Sequence, residues 1–209
     1  MTRRLVVDSR APDPRSIGIA ADVLRHGGVV AYPTDTLYGL AVDPRNEKAV
    51  ARLFAVKGRD ATSAVALIAA DAEQATQAGP FGEPERRLAS LFWPGPLTIV
   101  VPASPVMSGS LARTHGTLGV RVPSHEVARA LARAFGGCIT ATSANLSGHP
   151  PCSTGDEVAA ALDGRIDLVL DGGPVPGDAP STLVQIVDGA PRLLRAGAVA
   201  WDRVLESLK

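Results

Sequence analysis

Apolar residues recur along this chain at two spacings that take turns. Ile17, Ala20, Ala21 and Leu24 fall at helical intervals, predicting a helix over residues 16–26 that stops at Gly27-Gly28. Residues 29–32, Val-Val-Ala-Tyr, form an unbroken apolar run between glycine and proline, as a buried strand does. Asn46 is placed to cap a helix that carries Val50, Leu53 and Phe54 on one face and ends at Gly58.

Further strands are predicted over 64–69, 97–101, 117–122, 138–142 and 168–170, the second entered through the stiff Pro94-Gly95-Pro96 turn. Further helices are predicted over 71–78, 84–92, 125–135, 156–162 and 198–208; within 84–92, Leu88, Leu91 and Phe92 should face inward. Residues 181–187 and 191–194 read as a hairpin around Asp188-Gly189, and 5–8 as an edge strand. Interleaved strands and helices indicate an α/β fold, and the hairpin requires part of its sheet to be antiparallel. No repeat or linker divides the sequence, so 1–209 is expected to be a single domain. Residues 103–116 are small and polar, a loop of the length that usually serves as a lid.

Composition narrows the function classes. Twenty-one basic and 21 acidic residues cancel, so no general positive field marks a nucleic-acid binder. The four histidines and two cysteines do not fall at metal-binding spacing, which argues against a structural zinc. No apolar run is long enough to span a membrane, and residues 1–16 are charged and proline-rich, unlike a secretory leader. A cytoplasmic protein with reduced thiols and no membrane contact is the expectation. Lysine occurs only at positions 48, 57 and 209, so Lys57 beside Arg59 stands out.

Five places put polar groups beside or just past an apolar strand: Thr34/Thr36, Lys57/Arg59, Thr117/Arg121, Ser143/Asn145, and Ser181/Thr182 with Arg195. Ligand sites of open α/β sheets gather at such strand ends. Arg121 matters most, because an arginine within Leu118-Gly119-Val120-Arg121-Val122 must be paired, line a cleft, or belong to a strand with one solvated face. Thr34-Asp35-Thr36 is either part of a ligand site or capping chemistry, and Lys57 and Arg59 are either phosphate ligands or solvated helix-end charges. No glycine-rich triphosphate loop ending in Lys-Ser or Lys-Thr occurs, so a nucleotide would be held by side chains. No serine or cysteine is paired with a histidine in a recognisable arrangement, and Cys138 reads as core. Positioning and charge neutralisation are the chemistry implied.

The runs PTDTLYGL, KGR, FWPGPLT, TLGVRVP, SANLSG and STLVQI with LLRAG follow one another over nearly the whole chain. Together they resemble the YrdC-type threonylcarbamoyl-AMP synthase family. That resemblance implies an open, twisted, mostly parallel or mixed α/β sheet with a concave basic cleft. It implies formation of threonylcarbamoyl-adenylate from L-threonine, bicarbonate and ATP with release of pyrophosphate, Mg2+ accompanying the phosphates. A separate threonylcarbamoyl transferase would then modify tRNA, and direct tRNA or RNA contact with the concave face is a further expectation. By motif, Lys57, Arg59, Ser143 and Asn145 would surround the nucleotide, with Thr117, Arg195 and Ser63 beside them. Lys57 and Arg59 would carry the catalytic charge. Thr36, Arg121 and Ser181 would hold threonine.

The sequence departs from the family pattern after the lysine-arginine pair. Asp60 stands in place of a proline, Ser63 of an asparagine, Ile68 of a histidine that helps hold threonine, and Pro151 of a serine. Longer family members continue into a second domain that these 209 residues do not include, so any lid is expected from 103–116. Two other readings stay open: a non-catalytic RNA-binding paralogue of the same fold, and a carbamoyl-transfer module like that of hydrogenase-maturation proteins.

Overall fold

In the computed structural model, which describes residues 1–58, 64–107, 111, 116–176 and 179–209, local chemistry sets the first helices. Asp13 caps α1 (Pro14–Arg25) by accepting from the Arg15 and Ser16 amides, and Asn46 caps α2 (Glu47–Lys57) through Lys48 and Ala49. Gly58 ends α2 at φ 59°, a left-handed conformation that glycine adopts without a Cβ penalty. Helices α3 (Ala72–Ala75), α4 (Glu83–Phe92), α5 (Glu126–Phe135), α6 (Gly155–Leu162) and α7 (Trp201–Ser207) complete the set, with a 3-10 turn over Thr76–Ala78. Thr154 and Glu157 form a reciprocal capping box on α6. In α4 the buried stripe is Glu85, Leu88 and Ala89, with Phe92 packed beside it. Leu91 therefore points outward, 58% exposed, against the expectation that it faces the core.

The strands are β1 (Arg3–Val6), β2 (Val30–Tyr32), β3 (Gly39–Ala41), β4 (Ala66–Ile68), β5 (Leu97–Pro102), β6 (Thr117–Arg121), β7 (Ile139–Ser143), β8 (Leu168–Asp171), β9 (Thr182–Val187) and β10 (Ala190–Arg195). They form one sheet in the order β1-β8-β2-β3-β7-β4-β6-β5-β9-β10. The chain is thus a single α/β unit on a mixed sheet. Pairings β1–β8, β2–β8, β4–β6 and β5–β9 are parallel, and the other five are antiparallel, so parallel pairing does not predominate. Strand β3 is the element that the sequence pattern misses. Its glycine lets the Tyr32 ring lie across it, since a Cβ at Gly39 would come within 3.1 Å of that ring. Its apolar residues are too few to show a period.

Two apolar layers flank the sheet. On one face α2, α4, α6 and α7 pack Val50, Leu53, Leu88, Val158, Leu162 and Val204 against Leu97, Ile99, Leu118, Val120 and Val184. On the other, α1 and α5 cover Val30, Tyr32, Ala41, Ile139, Leu168 and Leu170. That second cover reaches only part of the face. Among the described residues β6, β5 and β9 contribute nothing to that layer, and a cavity of about 560 Å3 opens over them and the Ala66 end of β4.

Cys138 lies in the core, 1% exposed, with its thiol donating to the Gln74 carbonyl at 3.3 Å. Burial pushes that thiol up to about 12, against a smaller opposing pull from Arg45. Thiolate is therefore nearly absent at neutral pH. In the folded protein an aromatic disulfide reagent at pH 8 is expected to leave Cys138 unlabelled until denaturant is added; rapid labelling without denaturant would contradict this placement.

Candidate active site

The cavity gathers residues that lie far apart in sequence, and strand alternation is the reason. Thr117, Gly119 and Arg121 of β6 point into it while Leu118 and Val120 point into the core. Thr98 and Val100 of β5 do the same, as do Ala66 and Ile68 of β4, Ala141 and Ser143 of β7, and Leu183 of β9. The strand-end groups Thr34, Thr36, Asn145, Ser181 and Arg195 form its rim. The site is thus the uncovered face of the sheet together with its strand ends, rather than the strand ends alone. Ile68 and Tyr32 belong both to the cavity wall and to the α1–α5 layer.

Arg121 is 5% exposed and pairs with Asp35, Nη2 to Oδ1 at 2.5 Å. The Thr36 hydroxyl lies 3.4 and 3.5 Å from its two terminal nitrogens. Burial draws the guanidinium below the ordinary arginine range, Asp35 pulls it back up, and the like charge of Arg195 adds to the lowering. Both arginines therefore act on one space. The solvated-strand alternative for Arg121 does not hold, because the face it occupies is the cavity. Thr34 fixes the turn around Asp35: its hydroxyl accepts from the Thr36 and Leu37 amides and donates to the Leu37 carbonyl.

Lys57 is 2% exposed at the end of α2, which removes the solvated helix-end reading for it. Among the described residues its ammonium donates to the backbone carbonyls of Ser143 and Asn145 and to Asn145 Oδ1. The Ser143 hydroxyl donates to the same Oδ1, and Asn145 Nδ2 donates to the Leu146 and His149 carbonyls. The Ser147 amide returns a bond to the Lys57 carbonyl at 2.9 Å. Lys57 thus lies behind the cavity wall and ties the 143–147 loop to α2, while Ser143 and Asn145 themselves line the cavity.

At the opposite side Arg195 donates to the Ser181 carbonyl from Nε (3.2 Å) and Nη2 (2.8 Å), and from Nη2 to the Ser181 hydroxyl at 3.1 Å. The Ser181 and Thr98 hydroxyls are 2.7 Å apart. Tyr32 and Thr98 line the cavity although the sequence reading gives them no role, while Asp35, read there only as part of the Thr34–Thr36 cluster, stands beside Arg121. Arg59 and Ser63 lie outside the described residues, as does half of the 103–116 segment, although Leu111 lines the cavity. The structure therefore brings together Thr36, Thr117, Arg121, Ser143, Asn145, Ser181 and Arg195, with Lys57 behind them. Among the described residues, none that lines the cavity is acidic, a histidine or a cysteine. Such a wall can bind anionic and hydroxylated groups and orient them.

The model of the Sua5/YciO/YrdC domain, described as telomere recombination, matches residues 22–197. The chain belongs to the Sua5/YciO/YrdC family. A threonylcarbamoyl-AMP synthase of Bacillus subtilis is 37% identical over 95% of this chain and 58% of its own length. A putative threonylcarbamoyl-AMP synthase of Mycobacterium tuberculosis is 36% identical, with 96% of this chain and 94% of the relative covered. The Sua5/YciO/YrdC structures agree in fold. P. abyssi Sua5 complexed with L-threonine superposes with a TM-score of 0.90 at 35% identity, covering 97% of this chain and 60% of that one. E. coli YciO superposes at 0.86 with 27% identity, covering 94% and 96%. The chain thus spans somewhat more than half the length of the B. subtilis and P. abyssi relatives.

Proposed function

We propose that this chain makes L-threonylcarbamoyl-AMP from L-threonine, bicarbonate-derived carbon dioxide and ATP, releasing pyrophosphate. The observation that carries the reading is the Arg121 guanidinium, set among hydroxyls and apolar groups in a sheet-face cavity of a Sua5/YciO/YrdC chain. A planar fork suits the carboxylate of an amino acid. Thr36 and Ser181 offer hydroxyls to the threonine side chain, and Ile68 offers apolar surface beside them. Thr117, Ser143, Asn145 and Arg195 are assigned to the nucleotide, with Lys57 supplying charge and holding the 143–147 loop. Arg59 and Ser63 join them on the strength of their sequence motif.

The chemistry needs little from the protein beyond placement. The threonine amine adds to carbon dioxide and loses a proton to solvent, giving a carbamate. A carbamate oxygen attacks the α-phosphorus of ATP, and the bond from that phosphorus to the bridging oxygen breaks, its electrons leaving with pyrophosphate. The nucleophile brings its own negative charge, so the chemistry does not call on a histidine or carboxylate, and none lines the cavity among the described residues. Arginine and lysine charge offsets the repulsion between carbamate and phosphate. The donor set fits a magnesium ion that arrives on the ATP phosphates, since hydroxyls line the cavity and, among the described residues, no carboxylate cage does. The Thr117 and Ser143 hydroxyls are the groups that would meet it, and the ion would neutralise phosphate charge. The proposal extends to a cytoplasmic setting, in which a threonylcarbamoyl transferase consumes the product to modify tRNA, and to direct tRNA contact at the cavity face. Among the described residues no helix is long and apolar enough to cross a membrane.

Incubation with ATP, bicarbonate and each amino acid in turn, scored by pyrophosphate release, tests the proposal. Release that depends on threonine and exceeds that with valine by about 10⁴ or more supports it. Thr36→Val is expected to narrow that preference by about tenfold. Equal release with valine and threonine in the parent protein would mean that Ile68 has made the pocket apolar in function. No release, together with tight RNA binding, would favour a non-catalytic RNA-binding member of the fold.

A further inference from the structure

We infer that Asp35 is a positioning residue for substrate recognition, fixing the plane of the Arg121 guanidinium so that its remaining donors face the cavity. This rests on the reading of Arg121 as the group that takes the amino-acid carboxylate. Asp35 does not line the cavity, whereas Arg121 does. The carboxylate lies behind the guanidinium, with side-chain exposures of 12% and 6%, and holds one terminal nitrogen at 2.5 Å. A guanidinium carries five donors in a rigid plane, so holding Nη2 at Asp35 while the Thr36 hydroxyl sits against both terminal nitrogens restrains the direction of the rest.

Two further observations separate this arrangement from an incidental ion pair. The turn that carries Asp35 is itself pinned, because the Thr34 hydroxyl accepts from both the Thr36 and the Leu37 amides. Meanwhile Asp35 Oδ2 is buried with no hydrogen-bond partner among the described residues. A buried, unsatisfied carboxylate oxygen is costly, and such groups persist where placement serves a site. The facing side is neutral rather than competing. The nearby His125 ring has Nδ1 likewise buried and unpartnered among the described residues, and burial holds the imidazole below its ordinary value, against smaller upward pulls from Asp35 and Glu126. At neutral pH His125 is uncharged, and Asp35 directs its charge to Arg121.

The consequence is a specific one: Asp35 sharpens the choice of a carboxylate over an uncharged group at the same place. Calorimetric titration of the full chain with L-threonine and with L-threonine amide reads this directly. In the parent protein threonine is expected to bind at least about 100-fold more tightly than the amide, as a bidentate charged pair allows. Asp35→Asn keeps the shape but weakens the anchor, and the ratio should fall by about tenfold, with ATP binding within about threefold of the parent. Asp35→Glu retains charge compensation for Arg121 and moves the anchor, so it should fold and still lose preference for threonine; it covers the case in which the asparagine variant is unstable. A purely structural role would lower the amount of folded protein and leave the ratio unchanged. If both folded variants keep the parent ratio, the positioning role is overturned while the reading of Arg121 stands. If the parent itself fails to prefer threonine over its amide, the reading of Arg121 fails and the role of Asp35 falls with it.

Discussion

Arg121→Lys is expected to raise the threonine concentration needed for half-maximal turnover by about 100-fold, with ATP affinity held within about threefold. Lysine keeps the positive charge opposite Asp35, so the fold should survive. What it loses is the planar fork, which can bind Asp35 on one edge and a carboxylate on another. Arg121→Ala should behave differently. It leaves the Asp35 carboxylate buried beside an apolar strand without its partner, and breaking a buried pair in this way costs about 3–5 kcal/mol. The lysine variant therefore reports on recognition and the alanine variant on stability. A lysine variant with parental threonine dependence would remove Arg121 from the amino-acid site.

Lys57→Met is the second change with a large expected effect. The methionine fills a similar volume but cannot donate, so the Ser143 and Asn145 carbonyls lose their shared ammonium. Each buried acceptor left unsatisfied costs about 1–3 kcal/mol, and the 143–147 loop loses its tether to α2. Turnover should drop by about 10²–10³, the range for losing one preorganised electrostatic group. Threonine binding measured without ATP should hardly change, because Arg121 and Thr36 lie on other strands and turns. Stopped-assay kinetics with thermal melting separates the two parts. Turnover within a few-fold of the parent would mean that this lysine only fills the core.

Much of this arrangement is legible in the sequence because strand and helix periods are local. The alternation of Thr117, Gly119 and Arg121 with Leu118 and Val120 announces one polar and one apolar face from residue order alone. Which polar face stays open is not local information. It depends on α1 and α5 ending their cover near Tyr32 and Ile68, and nothing in the β6 sequence encodes that. Strand β3 escapes the pattern for a similar reason: three residues, one a glycine, become a strand only because β2 and β7 pair with them on either side. For Lys57 the sequence offers ligand phosphates or solvent as surroundings. Its enclosure by the Ser143 and Asn145 carbonyls comes from a loop nearly ninety residues away. Leu91 suits an inward position because it is apolar, whereas the α4 stripe runs through Glu85, Leu88 and Ala89.

The proposed function turns on one step, in which a carbamate, rather than the threonine carboxylate, attacks the nucleotide. Carbon-13 bicarbonate supplied with threonine and ATP, followed by mass and NMR analysis of the adenylate formed, tests it most directly. One carbon-13 is expected in each threonine-containing adenylate, at a carbonyl bonded to the threonine nitrogen, with one pyrophosphate released per adenylate. An unlabelled threonyl adenylate formed equally well without bicarbonate, or no adenylate at all, would contradict it.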